Sequence, residues 1–391
     1  MNWTDVAFAL LVGAAWLVYR LLPARGRGHW LTLVSIAVFA LEGPATLGVV
    51  AAMVAWTWWW GTRIHGASAK RRRVGAGVAG LLLVLAAGKY GDWLLGMVGL
   101  SALTSVRTPS WLGPLGMSYF VFRMIGYLVD VAQGKHAPGG AWAIAGYALF
   151  FPTLPAGPIE RYEAFAPQAR AGAGPTLEDL RTGALRIAAG LFKKVVLTDF
   201  LLEWAKLMRE PQTYGAGWMW VALYAYTLYI YVDFSGYSDM AIGVARLFGI
   251  RIRENFNWPY LRTNISEFWR HWHMSLTAFI TEYIYYPLGG NRKGLTRAGV
   301  NTLIAMGLCG LWHGAGWHFI AWGLYHGAGL TIYRIWRMLR GKYGWHRPDS
   351  KPRRVLAWAA TFHFVALGWA LFYMSLGEAV RLYLTLFGLG G

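Results

Sequence analysis

Apolar stretches close to the ~20 residues needed to cross a bilayer recur from one end of this 391-residue chain to the other. Only 14% of the residues are charged and 56% are apolar, against roughly 25% charged in a soluble domain. A soluble protein of this size could not cover its surface with so few charges. Within a bilayer every backbone polar group must find its partner inside the chain, so spanning segments are helices or a closed barrel. The length of these stretches selects helices. The expected fold is an all-α polytopic membrane protein with about ten to twelve transmembrane or partly inserted helices. One cysteine, Cys309, excludes an internal disulfide scaffold.

Residues 5–22 form the first apolar segment. No basic region precedes it and no small-residue cleavage site follows, so it is expected to stay as a span. Arg20, Arg25 and Arg27 follow, placing the first loop in the cytoplasm by the positive-inside rule. Residues 31–60 hold two short apolar halves separated at Glu42-Gly43-Pro44, where proline ends or kinks a helix. Arg63 and Lys70 to Arg73 mark a second cytoplasmic loop, and 337–354, with seven Lys/Arg against Asp349, a third. The net charge of +19 is therefore a matter of membrane topology. No basic tail or zinc-ligand cysteine pair supports nucleic acid as a partner. Further apolar segments lie near 74–100, 111–132, 141–158, 183–207, 216–250, 298–311, 315–336, 355–374 and 377–389. No linker or fixed-period repeat divides the chain, so 1–391 reads as one integral membrane domain.

Residues 251–297 break the pattern, being polar and aromatic between hydrophobic neighbours. Ser266 is placed to cap a helix starting near Glu267, with Phe268, Trp272 and Leu276 on one face. Such a Trp-, Arg- and His-rich helix belongs at the interface or along a cavity reached from it.

Five of the ten histidines fall in two windows, FWRHWHMS with His271 and His273, and GLWHGAGWHFIAWGLYHG with His313, His318 and His326. Ionisable groups inside a membrane are expensive and mark function by default, and imidazole transfers protons near neutral pH. His271 and His318 read as structural, and His326 stays open between the two readings. The spacings His313–His318 and His271–His273 do not stack ligands on one helical face, which disfavours a metal centre. No G-x-S-x-G elbow occurs. Cys309 lies one helical turn before His313 and permits a Cys–His pair, although a packed small residue explains it as well. Asp233 and Asp239 are intramembrane carboxylates that could pair with arginines or orient a histidine, and Pro152, Pro155 and Pro158 break a helix at a membrane end.

These blocks resemble the membrane-bound O-acyltransferase family. The carriers are YVDFSGYSDMAIG through PLGGNR at 231–292, GLWHGAGWHFIAWGLYHG, and FFPTLPAGPIERY at 150–162. Within the family they look most like the bacterial alginate O-acetylase and teichoic-acid D-alanine transfer branch. The resemblance implies helices around a central tunnel, with a family core near 111–335. It implies transfer of an acyl group, expected to be acetyl, from a cytoplasmic thioester donor to a hydroxyl of an extracytoplasmic envelope polymer. It maps the catalytic histidine onto His313 and the second functional histidine onto His273. Trp269, Trp272, Trp312, His326, Asp233 and Asp239 would then line the tunnel. No bound cofactor is implied; acetyl-CoA or an acyl carrier protein would serve as donor. Membrane lipid, a carrier protein and a periplasmic acyltransferase are the partners implied, in the bacterial inner membrane. The alternative from another class is a non-catalytic transporter or export subunit for an activated acyl group or glycan.

Overall fold

In a computed structural model, which describes residues 4–97, 113, 116–345 and 350–389, all regular structure is helical, and no strand occurs among the described residues. Parts of the segments expected at 74–100 and 111–132, and Asp349 of the third basic loop, lie outside the described residues. The chain divides into two compact units, Met1–Leu191 with Gly236–Glu254, and Phe192–Ser235 with Asn255–Gly391.

The first unit begins with α1 (Val6–Leu21), α2 (Ala24–Ala40), α3 (Pro44–Ile64), α4 (Lys70–Met97) and α5 (Met117–Gln133). The Glu42-Gly43-Pro44 break falls where it was expected. Gly43 turns the chain at a φ of +111°, and Pro44 opens α3, where a missing N–H breaks no helical hydrogen bond. α5 is buried along most of its length, including Arg123. That guanidinium donates to the carbonyls of Ala148 at 3.0 Å and Thr153 at 2.9 Å. These carbonyls are released where α6 (Ala141–Ala148) stops short and a single 3₁₀ turn, Phe151–Thr153, carries on. The prolines at 152, 155 and 158 forbid a continuous helix there.

α7 (Tyr162–Ala171) and α8 (Leu177–Leu191) complete this unit with the end of α10 (Ala216–Leu247). Ion pairs tie α8 and the 160s to residues 239–254. Asp179 accepts from Arg251 Nε at 3.0 Å, Arg246 Nη1 at 3.3 Å and Thr176 Oγ1 at 2.7 Å. Burial alone would raise its pKa, but the hydrogen bonds from Arg251 and Thr176 outweigh that and hold it down to about 2. Glu160 accepts from both the backbone and the side chain of Arg253.

The second unit contains α9 (Thr198–Lys206), the start of α10, α11 (Ile265–His271), α12 (Met274–Ile280), α13 (Gly294–His313), α14 (Trp317–Lys342), α15 (Lys351–Tyr373) and α16 (Leu376–Leu386). α13 and α14 form its spine as an antiparallel hairpin closed by Gly314-Ala315-Gly316. They touch backbone to backbone. A Cβ on Gly310 would sit 2.1 Å from the Phe319 carbonyl oxygen, and one on Gly323 would sit 2.1 Å from that of Met306. Small residues at such a crossing replace side-chain bulk with close van der Waals contact, the main attraction available between helices in lipid.

Only α4 and α15 are both long and apolar enough, by composition, to count as clear spans among the described residues. α3, α10, α13 and α14 have the length, with 21, 32, 20 and 26 residues. Trp in α3, Trp and Tyr in α10 and α14, and Gly, Thr, Asn301 and Arg297 in α13 lower their mean hydropathy. The number of clear spans is therefore smaller than the segment pattern suggested, although the helical content agrees.

Gly310→Ala should abolish the monodisperse peak of the detergent-extracted protein in size-exclusion chromatography, because backbone atoms cannot move aside like a side chain. Gly307→Ala, whose Cβ would meet nothing nearer than Leu324 at 3.5 Å, should keep that peak. Equal recovery of both variants would show that the crossing opens without cost.

Candidate active site

α11 starts two residues before the position that the sequence suggested. Asn264, not Ser266, is the N-cap, accepting from Glu267 N at 2.9 Å. The helix also ends earlier than its apolar face implied. Trp272 is extended and His273 takes a left-handed φ of +42° before α12 begins. Among the described residues only Trp258 and His273 are non-glycine residues with positive φ. This conformation costs of order 1–3 kcal/mol and persists only where neighbours impose it. Here the neighbour is the irregular run 255–257. Met274 N donates to Asn255 O at 2.8 Å, Ser275 Oγ donates to Asn255 Oδ1 at 2.6 Å, and Asn257 N donates to His271 O at 3.0 Å. Asn255 is fully buried, so the clamp is shielded from water.

The break directs His273 into the interior, where it is 1% exposed. Its ring stands edge-on to Phe234 at 4.6 Å and lies 6.1 Å from the Trp312 ring. Trp312 in turn packs against His313 at 4.6 Å. One indole thus bridges the two imidazoles that the sequence singled out, and they can lie no farther apart than those two lengths laid end to end. His313 ends α13, half-buried, with Trp322 and Phe372 edge-on to it at 5.0 and 4.9 Å. It therefore sits half-buried in an aromatic wall.

Behind this wall lies a second aromatic layer. Trp272 packs on Phe256, Tyr260, Phe268 and Trp369. Tyr260 donates to Thr227 O at 2.7 Å and accepts from Trp369 Nε1 at 3.0 Å, which satisfies its buried hydroxyl. Trp269 and Trp322 flank His326 at 5.2 and 5.0 Å. His326 is fully buried, and neither ring nitrogen has a hydrogen-bond partner. A Cβ on Gly368 would lie 2.8 Å from its Nε2, so backbone closes over the ring. His271 behaves as a structural residue, with Nδ1 2.7 Å from the Glu267 carbonyl oxygen. Cys309 is buried in α13 one turn before His313.

The two aspartates go separate ways. They are six residues apart on α10, so about 240° apart around its axis at ~100° per residue. Asp233 belongs to the second unit, where Lys194 holds it. Asp239 belongs to the first, where Arg186 bridges it to Glu254. Asp239 is thus not brought to the histidine cluster within either unit. Lys194 and Arg186, Asn255, Phe234, Trp322, Trp369 and Phe372 were not singled out from the sequence. Their roles depend on contacts between distant segments that no local spacing reveals.

The second unit also holds a cavity of about 520 Å³ between α11, α13 and α14. Arg270, Arg334 and Arg337 line it together with Asn291 and Tyr333, and no carboxylate does. Arg270 pairs with Glu267 at 2.7 Å, and Arg334 donates to Thr302 at 3.0 Å. Among the described residues no group of three or more His, Cys, Asp or Glu is placed to hold a metal ion.

Residues 132–377 match the model of the membrane-bound O-acyltransferase family. The chain is 36% identical over 390 residues to the probable alginate O-acetylase AlgI of Azotobacter vinelandii, covering 95% of this chain and 75% of that protein. It is 32% identical over 394 residues to the peptidoglycan O-acetyltransferase of Helicobacter pylori, covering 93% and 74%. It is 31% identical over 277 residues to the teichoic acid D-alanyltransferase of Bacillus subtilis, covering 66% and 68%.

Arg186→Gln should destabilise the protein by about 3 kcal/mol, because it removes the guanidinium from the largely buried Asp239. Lys206→Gln removes an exposed pair with Glu203 and should change stability by less than about 0.5 kcal/mol. Thermal unfolding of the two variants in one detergent checks the contrast; matching midpoints would contradict it.

Proposed function

The chain belongs to the membrane-bound O-acyltransferase family, and from that membership we propose that it O-acylates, most simply O-acetylates, a polymer of the cell envelope. It is a multi-pass membrane protein. The proposed donor is a thioester presented from the cytoplasm, acetyl-CoA or an acyl carrier protein, and the acceptor is a sugar hydroxyl outside the inner membrane. Acetyl is preferred over an aminoacyl group because the relatives matching over 93–95% of the chain are named as acetylating enzymes. The aminoacyl-transferring relative matches over 66%. A periplasmic acyltransferase working with the product is a further proposed partner.

The single observation that carries the mechanism is the bridge His273–Trp312–His313. In this reading the acceptor hydroxyl oxygen attacks the thioester carbonyl carbon while His313 removes the hydroxyl proton. The C–S bond breaks and the thiolate leaves, taking a proton as the thiol. His313 suits the base because it is only half-buried, whereas His273 is closed in. His273, fixed by the Asn255 clamp, orients the thioester or polarises its carbonyl. Trp312, Trp272 and Trp269 wall the path and keep water from competing with the acceptor. Cys309 is buried in α13 and is left out of the chemistry. The arginine-lined cavity beside α13 supports an anionic donor, since both CoA phosphates and an acidic carrier would be drawn to it.

Membranes carrying wild type or His313→Ala at matched levels, given radiolabelled acetyl-CoA or acetylated carrier protein with envelope polysaccharide, test this reading. General-base catalysis contributes about 10²–10⁴-fold, so labelling should fall by that factor in the variant and show which donor serves. Equal labelling would remove His313 from the chemistry. Retained export of acetylated polymer by His313→Gln would favour transport without catalysis. Loss of labelling in Cys309→Ala with the protein still folded would favour an acyl-enzyme.

A further inference from the structure

The first unit holds a cavity of about 400 Å³ that plays no part in the chemistry above. α2, α6 and α7 enclose it. Its walls include Leu31 and Phe165, both buried, and Trp142, which is partly open. Its mouth carries Arg25, His29 and Arg170, all exposed, and no lining residue is acidic. The enclosure is tight: a Cβ on Gly28 would come within 2.4 Å of the Ala169 carbonyl oxygen, so α2 and α7 meet backbone to backbone beside the cavity. The volume falls in the range of built ligand pockets, roughly 300–1,000 Å³.

The neighbouring cation shows what a structural arginine does here. Arg27 donates through Nε to Leu22 O at 3.1 Å and through Nη1 to Gly172 O at 2.9 Å, pinning the α1–α2 corner. Arg25 and Arg170 have no such duty and no salt bridge among the described residues, yet they stand on different helices at one opening. The Trp142 ring lies 6.2 Å from His29, an amphipathic pair of the kind found at the lipid headgroup level. The basic run 20–27 sets this mouth at the cytoplasmic surface, where anionic lipids raise the local negative potential.

We propose that this cavity binds one anionic phospholipid. Its phosphate sits between Arg25 and Arg170, and the upper part of one acyl chain lies along Leu31, Trp142 and Phe165. An unpaired cationic mouth above an apolar wall matches that molecule's own division into charged head and apolar tail. A zwitterionic lipid brings its own cation to the mouth and gains less. A soluble phosphate leaves the apolar wall uncovered. The lipid would bridge α2, α6 and α7.

Native mass spectrometry of the full-length purified protein tests this with phosphatidylglycerol, phosphatidylcholine and glycerol 3-phosphate as separate probes. Wild type should retain phosphatidylglycerol in preference to phosphatidylcholine, and should not retain glycerol 3-phosphate. At about fivefold per arginine, the Arg25→Gln/Arg170→Gln variant should retain phosphatidylglycerol roughly 30-fold more weakly. A lysine pair at the same positions (R25K/R170K) should keep most of the binding. If the double glutamine variant fails to fold, Arg170→Gln alone, at the exposed end of α7, should still show the single-residue loss. Equal retention of the two lipids, equal binding by wild type and the glutamine variants, or retention of glycerol 3-phosphate as strong as that of the lipid would each overturn the proposal.

Discussion

The structure turns on what happens to backbone groups where a helix breaks in the buried interior. No water is available there to receive a freed carbonyl or N–H, so each break needs an internal partner. In the first unit the prolines at 152, 155 and 158 create such a break, and Arg123 resolves it with one guanidinium shared among carbonyls. Tyr147 adds a bond from its hydroxyl to Glu160 O at 2.8 Å. In the second unit the break between α11 and α12 is resolved by residues 255–257 pairing with 271–275. Both solutions bury a polar side chain, Arg123 or Asn255, almost completely. A half-satisfied version of either would be worse than an unbroken helix, since an unpaired buried group costs the full desolvation penalty. The breaks therefore persist because their partners are in place.

That constraint explains which features could be read from the sequence. The segment expected at 5–22 emerges as Val6–Leu21, and the Glu42-Gly43-Pro44 boundary falls between α2 and α3. Both are local signals, apolar length in one case and turn chemistry in the other. The helix at 265–271 was legible in outline, but its cap and end were not. Ser266 and Asn264 are both competent caps, and only the folded chain chooses Asn264. The apolar spacing Phe268–Trp272–Leu276 suggested one continuous helix, yet the chain turns at Trp272 and His273. Asn255 enforces that turn from 18 residues upstream of His273, and helical periodicity contains no information about such a partner. In the same way, Asp233 and Asp239 could be marked as costly carboxylates, while their cations Lys194 and Arg186 became visible only in three dimensions.

The candidate site shows the same division. The residue types, imidazoles in an apolar and Trp-rich setting, were enough to single out His273 and His313, and the family motifs assigned them roles. What places them is a set of aromatic contacts whose members lie far apart in the chain, at 234, 312, 322 and 372. Large rings do this well. Each buries a wide area while giving up only two rotatable bonds, and edge-to-face packing adds about 0.5–1.5 kcal/mol per pair beyond area. A wall made this way is held by ring packing and does not depend on hydrogen bonds between its members.

His326 sharpens the point. It is as buried as His273 and is packed by six rings, those of Phe268, Trp269, Trp322, Tyr325, Phe364 and Trp369; neither of its nitrogens is bonded, and backbone at Gly368 closes over it. His313 differs from it in burial: it terminates α13 beside the Gly-Ala-Gly turn and is only half-buried. In the proposed mechanism that difference favours His313 over His326, because a general base must reach the proton it removes and then release it. The turn that closes the α13–α14 hairpin is itself tight, since a Cβ on Gly314 would come within 2.2 Å of the Phe319 ring. The close packing of the hairpin is thus set by a few glycines, at 310, 314 and 323.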